Sequence, residues 1–73
     1  MNEKQKAWTQ SKCSELKQYI DHHWPLSDEQ WKSVADYIEK VVNLSKGNAE
    51  VRNALFDAIE QYQRRAEKEI NNG

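Results

Sequence analysis

The chain has 73 residues, and its 11 basic and 12 acidic side chains leave a net charge of −1 at pH 7. A chain of this length is at most one domain, and it buries only about 60% of the surface that its unfolded form exposes. Its single cysteine excludes an internal disulfide, and no stretch approaches the roughly 18 apolar residues that a membrane helix needs.

The charge is mixed throughout. Residues 1–24 carry four bases against three acids, residues 25–46 three against four, and residues 47–73 four against five. No segment supplies the basic field on which phosphate-backbone binding relies, and none forms an acidic block. The opening MNEKQKAWTQSK lacks the apolar run of a secretory signal, and a lone thiol suits a reducing compartment. A soluble cytoplasmic protein is therefore expected.

Residues 1–6 are polar and are expected to be frayed. A helical pattern then spans residues 7–22. Trp8, Lys12, Leu16, Tyr19, Ile20 and His23 fall in one broad stripe, with Cys13 at its edge. Its start is poorly marked, with Thr9 one candidate cap. Its end is clear, because Pro25 biases Trp24 away from helical geometry and cannot itself continue the helix.

The second helix is expected over residues 27–46. Trp31, Val34, Ala35, Ile38, Val41 and Val42 recur at helical spacing. Ser27 and Gln30 form a capping box, Leu26 and Trp31 a hydrophobic staple, and Asp28 and Glu29 suit the positive end of the helix dipole. Lys46 falls in the last turn, and Gly47 can take the left-handed cap conformation. Asn48 then caps a third helix over residues 49–70, whose apolar face is Val51, Leu55, Ala58, Ile59, Tyr62 and Ala66. Residues 71–73 are read as a loose tail. The single proline and both glycines fall at proposed boundaries or in that tail, so caps, breakers and periodicity agree. They predict an all-α, three-helix domain in which the second and third helices form an antiparallel hairpin with the first packed on it.

Chemical constellations are sparse. His22 and His23 are adjacent, so they point about 100° apart on a helix and do not readily share one ion; no paired CxxC or HExxH frame accompanies them. Cys13, at the edge of an apolar stripe, reads as a small buried hydrophobe rather than a nucleophile. No carboxylate pair, nucleophile triad or glycine-rich phosphate loop can be assembled. The expectation is therefore a protein that is not an enzyme and needs no cofactor or metal.

The aromatics say more. Tyr37 and Leu44 lie about 100° from the centre of the second helix's apolar face, and Phe56 lies a similar angle off in the third. Trp24 fits neither face. Large rigid apolar side chains outside a core stripe are candidates for a partner surface. These residues point to a small non-enzymatic interaction module, of the regulator, inhibitor or adaptor kind, that binds another protein through Tyr37, Leu44, Phe56 and Trp24, with a second copy of the chain as one candidate partner. The alternative is a helical nucleic-acid-binding domain that uses Arg52, Arg64, Arg65 and Lys68.

Overall fold

A computed structural model of the protein describes residues 2–72, with side chains described for residues 2–69. Three helices follow one another: α1 at Glu3–His23, α2 at Asp28–Leu44 and α3 at Ala49–Asn72.

Helix α1 starts four residues ahead of the expected Ala7, so residues 3–6 are helical rather than frayed; Met1 lies outside the described residues. The reason is a cap that the sequence reading passed over. The Asn2 side chain accepts a hydrogen bond from the Gln5 backbone N–H at 2.8 Å, and Glu3 adds negative charge in the first turn. Thr9 is not a cap. It is buried inside the helix, and its hydroxyl donates to the Gln5 carbonyl at 2.7 Å. At the other end Trp24 is extended, as the residue before Pro25 should be.

Helix α2 opens on the expected capping box. The Gln30 N–H donates to Ser27 Oγ at 3.2 Å, and the Ser27 N–H donates to Gln30 Oε1 at 2.9 Å. It closes two residues early, at Leu44. The Gly47 N–H reaches back to the Val42 carbonyl at 2.9 Å and the Lys46 N–H to the Asn43 carbonyl at 3.0 Å. This is the paired bonding of a Schellman turn, and it puts Lys46 (φ 60°) in the left-handed position, ahead of Gly47 (φ 75°). Lysine pays a steric penalty there that glycine does not. Lys46→Gly is accordingly expected to stabilise the fold by about 1 kcal/mol, read as a higher midpoint in urea; a lower midpoint would contradict this account of the turn.

Helix α3 begins where expected, with Asn48 Oδ1 accepting from the Glu50 N–H at 2.8 Å. It continues through Asn71 and Asn72, which were assigned to the tail; Gly73 lies outside the described residues.

The helices run up, down and up. Trp31, near the start of α2, lies beside Ile59 and Gln63 of α3, and Val42, near its end, lies beside Arg52. The second and third helices therefore form the expected antiparallel hairpin, in a bundle of 44 × 20 × 19 Å. The most extensive contact, however, joins α1 to α3 rather than the hairpin to itself. The seams differ in what lines them: small, buried Ala58 stands with Lys17 at the α1–α3 seam, whereas Trp31, Phe56 and Ile59 line the α2–α3 seam. The core is Leu16 and Ile20 from α1, Val34, Ile38 and Val41 from α2, and Val51, Leu55, Ile59 and Tyr62 from α3.

Candidate protein-docking groove

The four residues expected to meet a partner occupy different places. Tyr37 leans on α1. Its hydroxyl donates to Glu15 Oε2 at 2.9 Å, with the Lys12 carbonyl at 3.3 Å. It is a half-buried brace between helices rather than a free aromatic. Burial first, and then the hydrogen bond and charge of Glu15, push its phenol up to about 12. Because the folded state raises this pKa, the stabilisation that the neutral phenol supplies is complete below about pH 10 and is lost as pH climbs toward 12. Tyr37→Phe should cost about 1 kcal/mol at pH 7. In denaturant melts from pH 8 to 11, the gap between the two proteins should narrow as pH rises; a constant gap would contradict the bond to Glu15.

Leu44 is 64% exposed. It sits on the same α1-facing flank of α2, at the far end of the bundle, where it borders a hollow of about 370 Å³ with Lys4, Gln5, Trp8 and Val51. Trp24 is half-buried at the opposite end. Its ring lies 6.4 Å from Trp31 at 84°, 5.8 Å from Tyr62 at 46°, and 5.5 Å below the Arg65 guanidinium. Tyr62 is buried beneath it. Burial and a hydrogen bond to Asp21 raise the Tyr62 phenol, while Arg65 pulls it down.

Phe56 remains. It is 43% exposed and lies on the opposite flank of α2 from Tyr37 and Leu44, in the open seam between α2 and α3. A hollow of about 230 Å³ lies between Phe56 and Arg52 on one side and Ile38, Glu39 and Val42 on the other. A second, of about 140 Å³, continues past Ala35, Ile59 and Trp31. A third, of about 300 Å³, runs from Trp31 to Trp24, Leu26 and Ala66, with Asp28 and Glu69 at its rim. Shared residues join the three into one apolar groove along the hairpin. Phe56 and Trp24 of the expected set belong to it; Tyr37 and Leu44 do not. Trp31, Ala35 and Val42 belong to it too, although their spacing assigned them to the core stripe. They lie along one edge of that stripe, so the spacing counts the groove's α2 wall with the core, and Phe56 and Trp24 alone point to it.

Of the four basic residues, three gather and Arg52 stands apart. Arg52 lies over the Phe56 ring at 5.6 Å, in the groove. Arg64 pairs with Glu60 at 2.8 Å. Arg64, Arg65 and Lys68 line a different hollow, between α1 and α3, in which Lys17 joins them and Asp57 and Glu60 intrude. Elsewhere, Lys12 lies 5.8 Å above the Trp8 ring. His23 rests against Tyr19 at 4.6 Å and against His22 at 4.9 Å. Among the described residues, no three His, Cys, Asp or Glu side chains come together as a metal-binding group, and no helix is long and apolar enough to cross a membrane. Cys13 is half-buried, and desolvation raises its thiol despite the nearby Lys17, so it stays protonated at neutral pH.

The chain matches no family model, no curated protein and no solved structure. What it can do must therefore be read from this geometry. The groove offers two roughly antiparallel helical walls, an apolar floor, and charges confined to the rim. Such a surface accepts the apolar stripe of another helix.

Proposed function

We propose that the protein is a small cytoplasmic interaction module that acts by contact rather than catalysis, and that the α2–α3 groove is its docking surface. One observation carries this reading: Phe56, a large apolar side chain 43% exposed, lines two of the groove's three hollows and is not among the buried core residues of its own chain. Half-exposed aromatics in concave surroundings are the kind of residue that anchors interfaces. The groove has the form of a helix-binding site, so a regulator, inhibitor or adaptor that captures an amphipathic helix is the function it suits.

Phe56→Glu tests the proposal. The substituted side chain points into solvent, so helix content by circular dichroism should be unchanged. A protein co-purified with the chain from its native host, identified by mass spectrometry, should be lost with this variant and retained with Gln10→Glu on the exposed face of α1. Retention by both would dismiss the groove. The rival, nucleic-acid reading predicts a gel shift at low salt that fades steeply as salt rises and weakens in Arg64→Glu. The carboxylates of Asp57 and Glu60 within that basic hollow argue against it.

A further inference from the structure

The third hollow of the groove differs from the other two in chemistry. Its walls are Trp24, Trp31, Pro25, Leu26 and Ala66, and the only charged residues that line it are Asp28 and Glu69. The two indoles stand at 84° with their centroids 6.4 Å apart. Two rings at right angles make a corner in which a compact cation lies against π-electron density.

The chain's own cations do not fill this corner. Arg65 lies over Trp24 at 5.5 Å, but it lines the α1–α3 hollow and not this one, so its guanidinium occupies the far side of the indole. There Asp21, which bonds Tyr62, offsets part of its charge. Lys68 lines that other hollow too. Lys32 is one turn on from Asp28, yet among the described residues neither Asp28 nor Glu69 has a hydrogen-bond or ion-pair partner. Two carboxylates thus stand uncompensated beside aromatic and aliphatic walls.

We propose that this hollow binds a quaternary ammonium group, carried by a small free solute of the choline kind. The walls decide between kinds of cation. Apart from the two carboxylates they present carbon, which accepts no hydrogen bonds. A primary ammonium would bring three N–H donors out of water with too few acceptors to replace it. A quaternary ammonium has no N–H, and its methyl groups pack on indole and aliphatic surface. The volume, about 300 Å³, is at the lower end of the range for ligand sites and suits so small a group. The carboxylates repel the phosphate that a phosphocholine lipid carries beside its ammonium, so a free solute fits better than a membrane. Phe56 does not line this hollow, so the inference stands or falls apart from the docking of a protein along the groove.

The indole N–H signals of the full chain in heteronuclear NMR test it, because Trp8, at the other end of the bundle, is an internal control. Added choline should move the Trp24 and Trp31 signals to saturation and leave Trp8 in place. Half-saturation should fall at about 1–30 mM, the strength open to a ligand of so few atoms. Dimethylbutanol, in which carbon replaces the charged nitrogen, should bind at least tenfold more weakly, and so should ethanolamine. Asp28→Asn combined with Glu69→Gln alters two exposed positions; it should weaken choline tenfold or more with helix content unchanged. Equal binding of the neutral alcohol would reduce the hollow to an apolar surface and overturn the proposal. A double variant that binds as the wild type does would overturn it too, as would shifts of Trp8 that match those of Trp24 and Trp31, or no shift at all. Phosphatidylcholine vesicles should not retain the chain; retention that free choline fails to displace would overturn the assignment to a free solute.

Discussion

Leu55→Ala should cost about 3–4 kcal/mol, near the upper part of the range for large-to-small core substitutions. Leu55 is 0% exposed and sits in the first third of α3, in the core cluster to which all three helices contribute. Removing its isobutyl group forfeits the transfer free energy of three carbons. It also leaves a cavity that cannot readily collapse, because Val51 and Ile59, one turn to either side on α3, are themselves fixed in the core. For a chain of 73 residues, total stability is about 4–11 kcal/mol at typical per-residue values, so this one substitution removes a large part of it. Urea unfolding followed by helix circular dichroism measures the loss. Phe56→Ala, one residue along the same helix, is the control: at a half-exposed site it should cost less than about 1 kcal/mol. Comparable losses at the two positions would mean that Phe56 belongs to the core and that the groove reading is wrong.

Trp24→Ala should be the second most damaging change, at about 2–3 kcal/mol, below the full cost of a completely buried tryptophan. The indole closes the end of the bundle. It meets Trp31 edge-on and lies against Tyr62, and Arg65 covers its outer face. Each aromatic pair adds roughly 0.5–1.5 kcal/mol to the area that it buries. Its loss would also expose Tyr62, otherwise 8% exposed. Trp24→Phe keeps a ring in place and should recover half or more of the stability. Unchanged urea midpoints in Trp24→Ala would show instead that the indole lies loosely on the surface and is available to a partner.

Tryptophan 24 also shows where sequence reasoning stops. Spacing along one helix orders residues on that helix, and on that basis the three elements, the Ser27 and Asn48 caps and the core stripes of α2 and α3 were legible. Trp24 lies in a connection, where no periodicity applies, so its place under Arg65 is a product of tertiary packing alone. Tyr37 and Leu44 were rightly set off the centre of the stripe, but a helical wheel does not say that α1 runs along that flank, bonding Tyr37 and leaving Leu44 exposed. The same wheel put Ala35 and Val42 with the core, because it cannot tell a wall that a neighbouring helix closes from one left open as a groove. The early start of α1 was different. The Asn2 cap with Gln5 three residues on has the spacing of Ser27 and Gln30, and only the polar character of the opening residues hid it.

Three aromatic rings outside the central core, those of Trp8, Phe56 and Trp24, each lie beneath a cation supplied by their own helix or a neighbouring one. The consequence is colloidal. A bare indole or phenyl face on so small a molecule would be an indiscriminate sticking point at cellular concentrations, whereas a guanidinium or ammonium resting on that face keeps it hydrated and presents charge to every passing surface. In the docking reading proposed above, a carboxylate on the incoming helix would compete with the Phe56 ring for the Arg52 guanidinium, so the partner's charge as well as its apolar stripe would set how well it binds.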